Sequence, residues 1–387
     1  MDDTVAVVKN QDLRSNITDW KELFMNDYWG TRVSSVESHK SYRPLTVMTF
    51  RLNYYYGELE TFGYHFVNII LHGICTYLIT IYAKQNQATL FVVPDDDHIS
   101  NTNNKNDKTY IWVGLLFASH PIHTEAISSI VGRAEPLSCI FVLISLIMYT
   151  PRKNRSSIIN VLFICTFGFI SMLCKESGAM VIVVCCLFDI VDWIGLGKFS
   201  LQNVRMFNIC MFILFFVCTI YFRIYITSTN FSPTFSDVDN YIHYIKNPVN
   251  RVLTYGYLHV KYVIQLVFPM YLSCDWSYEA FAPINSIYDI RNIVTFLMYF
   301  VVLGVLFMYF GIYCNNISSV AYPIIIGIAF FLPASNMFFP VATVLAERVL
   351  YLPSIGFCIL LPSLLDVLLM KIQNINTNAA NAESNSK

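Results

Sequence analysis

Charge is what this sequence has least of. Only 13% of its 387 residues are Asp, Glu, Lys or Arg, about half the share usual in soluble globular chains. Residues 136–149, 158–173, 206–222, 293–313 and 317–346 hold no such residue at all. Several of these runs reach the roughly 20 apolar residues that a helix needs to cross a bilayer. A water-soluble fold is excluded, and the class is an all-α integral membrane protein. A basic field is missing too. The net charge is −1 and no basic repeat stands out, which excludes nucleic acid as a partner. No CxxC pair occurs among the 11 cysteines, and most of them, Cys75, Cys139, Cys165, Cys185, Cys186, Cys210, Cys218 and Cys358, lie in apolar runs. They read as small buried hydrophobes rather than a disulfide framework or a zinc site. The acidic opening Met1-Asp2-Asp3 does not resemble a cleavable signal peptide.

What is present is a succession of apolar helices. Residues 1–63 form a polar, aromatic-rich segment, and 64–370 a bundle of about ten spans. The spans fall near 64–83, 110–119, 136–150, 157–173, 177–194, 206–226, 253–271, 293–313, 317–333 and 349–370. The span at 253–271 fits least well, because it carries His259, Lys261 and Gln265. The loop 84–109, with Asp95-Asp96-Asp97, reads as solvated, and 371–387 as a disordered polar tail. Lys and Arg set the orientation. Lys84, Lys105, Lys108, Arg152, Lys153, Arg155, Lys198 and Arg205 mark one set of loops as cytosolic. The 1–63 segment, the 120–135 loop, the 174–177 turn and the 227–252 loop then share the lumenal side. The sequons Asn16-Ile17-Thr18 and Asn230-Phe231-Ser232 fall on that side, and Asn154-Arg155-Ser156 on the other.

Ionisable groups are costly in or beside a span, so they mark candidate sites. The lumenal side collects them: Asp2-Asp3, His39-Lys40 with Arg43, His120, His123 and Glu125, Arg133 with Glu135, and Lys175-Glu176. Carboxylates and imidazoles can manage a proton, and cations can hold a phosphate. Transfer from a sugar phosphate to a hydroxyl needs both. Each residue also has a plainer reading. His120, His123 and Glu125 have a spacing that a metal would accept, but interface histidines are more often simply hydrogen-bonded. Lys175 and Glu176 also read as a neutralised pair at a tight turn. His65, Asn68 and His72 share one face of the first span, as packing groups or as substrate contacts.

The sequence resembles the transmembrane and tetratricopeptide-repeat O-mannosyltransferases, the TMTC family. The likeness rests on Asp2-Asp3, Asn10-Gln11-Asp12, Phe24 to Gly30, and Ser38-His39-Lys40-Ser41-Tyr42-Arg43-Pro44. It continues through His120-Pro121-Ile122-His123-Thr124-Glu125, Gly132-Arg133-Ala134-Glu135 and Cys174-Lys175-Glu176. Further matches are Ser273 to Ser277, Asp289 to Asn292, Pro333 to Asn336 and Ala346 to Ser354. The resemblance implies a GT-C-type helical bundle in the endoplasmic reticulum membrane. It also implies dolichyl-phosphate mannose as donor, and Ser or Thr of secretory-pathway proteins such as cadherins as acceptors. Asp2 and Asp3 match the family's acidic pair and inherit the role of catalytic carboxylate, with Glu125 beside them. His39, Lys40, Arg43, His120, His123, Arg133, Glu135, Lys175 and Glu176 are assigned to acceptor positioning and to the donor phosphate. Arg348 also matches, but simple alternation of spans puts it on the cytosolic side. No cofactor is assigned, and a divalent metal is left open.

The family also carries a first span ahead of its acidic pair and, after the bundle, tetratricopeptide repeats of about 34 residues. This sequence is expected to hold neither, and so it reads as a truncated form. The leading function is a protein O-mannosyltransferase. The alternatives are an inactive membrane relative acting as an interaction protein, and a transporter.

Overall fold

The computed structural model describes residues 3–14, 16–90, 108–149, 158–196, 199–227, 239–273, 276, 280–312 and 318–385. Among them the chain is helical, with a single isolated bridge between Asn26 and Arg32. The longer helices are α1 (Pro44–Gly57), α2 (Thr61–Gln85), α3 (Thr109–Ser119), α4 (Ala134–Met148), α5 (Ile158–Cys174) and α6 (Met180–Leu196). They continue with α7 (Phe199–Thr227), α8 (Pro248–Val267), α9 (Arg291–Ile312), α10 (Ser318–Phe331) and α11 (Ser354–Asn385).

The bundle is inside out relative to a soluble protein. Its core is apolar, built from residues such as Ile79, Phe117, Val142, Leu146, Cys185, Phe188, Tyr322 and Ile355. Its outer face is apolar as well. Phe62, Phe66, Ile69 and Ile74 on α2, Ile213, Leu214 and Val217 on α7, and Phe296, Leu297 and Phe300 on α9 are all exposed. Apolar exposure on this scale is unstable against water and calls for lipid.

Among the described residues, length and composition qualify three helices to cross a membrane: Thr61–Gln85, Val131–Met148 and Val204–Thr227. At about 1.5 Å per residue, the first covers the roughly 30 Å hydrocarbon core with some to spare. Thr109–Ser119, Ile158–Cys174, Arg291–Gly304, Val320–Ala334 and Ser354–Asp366 are apolar but shorter. Helices α2, α3 and α11 pack side by side, as do α4 with α5, α6 with α7, and α10 with α11. Gly356 lets α11 lie directly on α10, since a Cβ there would strike Pro323 O and Gly327 N.

The N-terminal segment is not a loose loop. It folds over one end of the bundle with its own core of Ala6, Val7, Leu13, Leu23, Tyr28, Val47 and Phe50, closed by Tyr64, Ile130 and Val131. Asp27 organises its main turn by accepting hydrogen bonds from Trp29 N, Thr31 N and Ser38 Oγ at 2.9, 2.9 and 2.7 Å. Gly30 adopts φ 84° in that turn and lies against the Asn10 side chain, so a larger residue is barred twice over. At the other terminus α11 stays helical to Asn385, through the Asn-rich stretch that composition reads as a disordered tail. Extending an established helix needs no new nucleus, so weak propensity is enough to continue it. The loop 91–107, with Asp95, Asp96 and Asp97, lies outside the described residues.

Candidate functional site

Five pieces of chain meet where the N-terminal segment covers the bundle. Pro44 starts α1, and Thr46 on its first turn donates to Cys174 O at 2.8 Å. That contact docks α1 on the tight turn between α5 and α6. Beside it, Arg43 grips Glu176 through Nε and Nη2, both 2.9 Å from Oε2. Arg223, near the end of α7, reaches the other oxygen of Glu176 at 3.4 Å. Burial pushes the Glu176 carboxyl up, but the two guanidinium groups outweigh it and hold the group at about 2. Lys175 turns the other way and pairs with Glu135 on the first turn of α4. Burial, together with the cations Arg43 and Arg348, lowers the Lys175 pKa well below 10.5.

Glu125 completes the cluster. It sits in the short helix Thr124–Ser128 and accepts from Arg348 N at 2.7 Å, with Arg348 Nε at 3.5 Å. Burial raises its pKa against the pull of Arg348. Asp3 lies close by. Its Oδ1 accepts from Val131 N at 2.9 Å and Ser129 Oγ at 3.4 Å, while Tyr28 donates to Val131 O at 2.9 Å. Arg43 and Arg348 both act electrostatically on Tyr28, as does Asp3. Burial dominates there and raises the phenol's pKa. Among the described residues, two polar atoms in the cluster have no partner although they are buried: Arg223 Nη1 and Ser177 Oγ. Buried donors without acceptors are rare in folded proteins and call for an explanation.

Of the residues expected from sequence, Asp3, Arg43, Glu125, Glu135, Lys175 and Glu176 come together. Asp2 lies outside the described residues. The other side chains do not join the charged contacts, although the Lys40 carbonyl accepts from Arg223 Nη2 at 3.0 Å. His39 is exposed beside Trp29, the ring centroids 6.1 Å apart. Lys40 takes a left-handed φ of 58°. Its ammonium donates to the carbonyls of Val33 and Ser35 at 2.9 Å and of Thr227 at 3.3 Å. It clamps the N-terminal segment to the end of α7.

His120 and His123 are likewise committed to the fold. His120 Nε2 lies 2.9 Å from Leu266 O, and its Nδ1 accepts from Ile122 N at 3.2 Å. His123 bridges Phe117 O and Ser354 Oγ at 2.8 Å each. Burial lowers both pKa values, which keeps the rings neutral. Among the described residues, no group of three or more His, Cys, Asp or Glu side chains gathers to hold a metal.

Arg133 is entirely buried. It donates to Asn68 Oδ1 at 2.8 Å, Asn53 Oδ1 at 2.5 Å and Tyr64 O at 2.9 Å, and its guanidinium lies over the Phe50 ring at 4.7 Å. Neutral acceptors surround it, so it ties α1, α2 and α4 together. Asn68 serves the same purpose, donating to Ser129 O at 2.9 Å. His72 meets Tyr351 OH at 2.8 Å.

Sequence reasoning missed Arg223. Its signal was a single cation closing an otherwise uncharged run from 206 to 222. Simple alternation of spans puts Arg348 on the opposite side from Glu125, and the structure does not. Arg348 lies beside Glu125.

Similarity to known proteins agrees with the motifs. Residues 229–303 match the family model "Protein O-mannosyl-transferase TMTC, DUF1736". The human protein O-mannosyl-transferase TMTC3 is 37% identical over 382 residues, covering 93% of this chain and 39% of its own. Human TMTC4 is 35% identical over 394 residues, 93% of this chain and 51% of its own. The chain belongs to the TMTC family. Human TMTC2 is more distant, 30% identical over 446 residues, 96% of this chain and 50% of its own. This TMTC chain therefore spans between two fifths and one half of the length of these curated relatives. No solved structure matches it.

Proposed function

We propose that this TMTC chain carries the transfer centre of a protein O-mannosyltransferase of the endoplasmic reticulum membrane. Dolichyl-phosphate mannose is the donor. Ser or Thr hydroxyls of secretory-pathway proteins, cadherin domains among them, are the acceptors. The bundle is of GT-C type, with the N-terminal segment and the charged cluster on the lumenal face. The names of the relatives support the reaction class, and the cluster supports the chemistry.

In this reading the acceptor oxygen attacks the anomeric carbon, and the bond from that carbon to the phosphate oxygen breaks. Dolichyl phosphate leaves, the hydroxyl proton passes to a carboxylate, and the sugar configuration inverts. Asp2 or Asp3 takes that proton by family resemblance, and Glu125, in the short helix capped by the Asp3 contact Ser129, positions the acceptor. Arg43, Lys175, Arg223 and Arg348 stabilise the charge that collects on the departing phosphate.

One observation carries the assignment. Among the described residues, Arg223 Nη1 is a buried donor with no acceptor, beside Arg43 and Glu176, where a phosphate oxygen would complete it. The test is mannose transfer from dolichyl-phosphate mannose to a cadherin domain by the complete natural protein in nanodiscs. Wild type is compared with Asp2→Asn, Asp3→Asn and Arg223→Lys. At least one aspartate change is expected to abolish transfer, and Arg223→Lys to weaken donor use. Transfer untouched by both aspartate changes removes the assignment.

A further inference from the structure

We propose that α8 does not cross the membrane but lies along the lumenal lipid surface, with its apolar face in the boundary between headgroups and acyl chains. The inference begins from its partners. Near its start, Thr254 Oγ1 accepts from Ile284 N at 3.0 Å, and Tyr255 OH sits 3.4 Å from Asn240 Oδ1. One turn on, His259 Nε2 lies 2.8 Å from Ser335 O. Near its end, Tyr262 OH accepts from Ala346 N at 3.1 Å, and Leu266 O meets His120 Nε2 at 2.9 Å.

The turns from Thr254 to Leu266 cover about 18 Å of helix axis. The hydrogen bonds just named end on connecting segments at the end of the bundle that holds Glu125 and Arg348, where Tyr255, Leu258 and Tyr262 also pack with Ile122, Val344 and Leu345. His259 Nδ1 in addition meets Tyr299 OH on α9 at 2.5 Å. A helix that traversed the bilayer would carry Leu266 away from that end, and could not leave its carbonyl on His120.

The exposed residues agree. Val249 and Val252 at the start, and Val263, Ile264, Val267 and Phe268 at the end, are exposed and apolar. Most of them share one helical face. Met270 and Tyr271 extend the strip. Arg251 turns to His243 O at 3.1 Å, and Lys261 lies over the Tyr257 ring at 5.4 Å. Apolar residues on one face and cations held off it are the pattern of a helix lying in the interface. α8 packs against α9, where Ile293, Phe296, Leu297 and Phe300 are likewise exposed and apolar, and two neighbouring helices with such faces argue for lipid as the occupant.

The consequence reaches the site. Removing one crossing reverses the side of every later loop, which puts Arg348 on the same side as Glu125. It also makes α8 a wall of the charged cluster, because the Leu266 carbonyl at one end holds His120 and Tyr262 holds the connecting segment that leads to Arg348.

Two measurements decide it, and neither reads mannose transfer, so the proposed reaction can fail without this placement failing. Ile287→Thr turns Asn285-Ser286-Ile287, an exposed segment between α8 and α9, into a glycan acceptor. The variant is expected to gain one endoglycosidase-sensitive glycan over the parent chain in microsomes. Separately, a solvent-sensitive fluorescent amino acid replaces Val252 or Phe268 in proteoliposomes, and brominated lipids report its depth. Both positions are expected to be quenched equally, by lipids brominated near the headgroup. A crossing helix would set those two positions about 24 Å apart in depth. A depth difference of that size, or a glycan on Asn16 with none on the Ile287→Thr site, overturns the proposal.

Discussion

Glu125 accepts a hydrogen bond from the backbone N–H of Arg348 at 2.7 Å, across 223 residues of sequence. The contact joins the turn after α3 to the turn before α11. It also ends the bookkeeping of strictly alternating spans, under which the two residues face opposite sides of the membrane. Replacing Glu125 by Gln keeps the acceptor oxygen but removes the charge that faces the Arg348 guanidinium. Transfer is expected to fall well below one tenth of wild type while the melting temperature stays close to it. A melting temperature lowered in step with activity would make Glu125 a packing residue instead.

Arg223 is the sharpest test of the phosphate assignment. Hydrogen bonds to charged groups contribute about 1.5–3 kcal/mol, so losing one from the donor complex corresponds to roughly 10–100-fold. Arg223→Lys keeps a cation but not the fork that reaches both Glu176 and a phosphate. KM for dolichyl-phosphate mannose is expected to rise by that factor, with KM for the acceptor unchanged. An equal rise in both would place Arg223 in the scaffold.

Two pH effects follow from the α5–α6 turn. The Glu176 carboxyl is held at about 2 in the folded protein, against an ordinary 4.5. Its pairing therefore stabilises the fold fully above pH 4.5 and is lost as pH falls from there toward 2. Glu176→Gln is expected to flatten the acid limb of a melting-temperature profile and to lower the plateau above pH 5. Lys175 is depressed well below 10.5, and an anionic phosphodiester beside it would raise it again. Donor binding should then take up a proton, so donor KM rises as the medium is made alkaline. Isothermal titration in buffers of different ionisation heat reads that proton directly.

Arg133 is expected to behave as a structural residue. It is fully buried among neutral acceptors, and Asn68→Leu would strip one of them away. Leaving a buried charge without its partner costs about 3–5 kcal/mol when the loss is complete, and less here because Asn53 and Tyr64 remain. Thermal unfolding is expected to shift clearly downward, while donor KM of the folded fraction stays within about twofold. A selective rise in donor KM would return Arg133 to the phosphate site.

Sidedness can be read from Asn16. It is exposed in the turn before Thr18 and lies on the same covering segment as Arg43. If that segment faces the lumen, the chain carries a glycan that Asn16→Gln removes. Native and substituted chains compared by gel shift after deglycosylation settle the point.

The charged cluster was partly legible in the sequence because ions beside apolar runs are conspicuous. Asp3, Arg43, Glu125, Glu135, Lys175 and Glu176 stand out in that way. The same criterion also selected Lys40, His120, His123 and Arg133, which the fold uses for its own carbonyls and amides. Burial of a polar group demands a partner, but the sequence does not say whether that partner is a substrate or a main-chain oxygen. His120 and His123 show the ambiguity most clearly, since the same spacing suits a metal and a pair of backbone acceptors.

What the sequence determined by itself is the solvent. Thirteen per cent charge, with runs such as 293–313 that hold none, can be stable only as helices in lipid, because unpaired backbone groups are too costly there. The tertiary structure decided which end of each helix meets which loop. Arg348 joined Glu125, α8 turned back on His120, and Arg223 entered the cluster. Those outcomes depend on packing between segments hundreds of residues apart, and hydropathy, which is summed over about twenty neighbours at a time, carries no information about that.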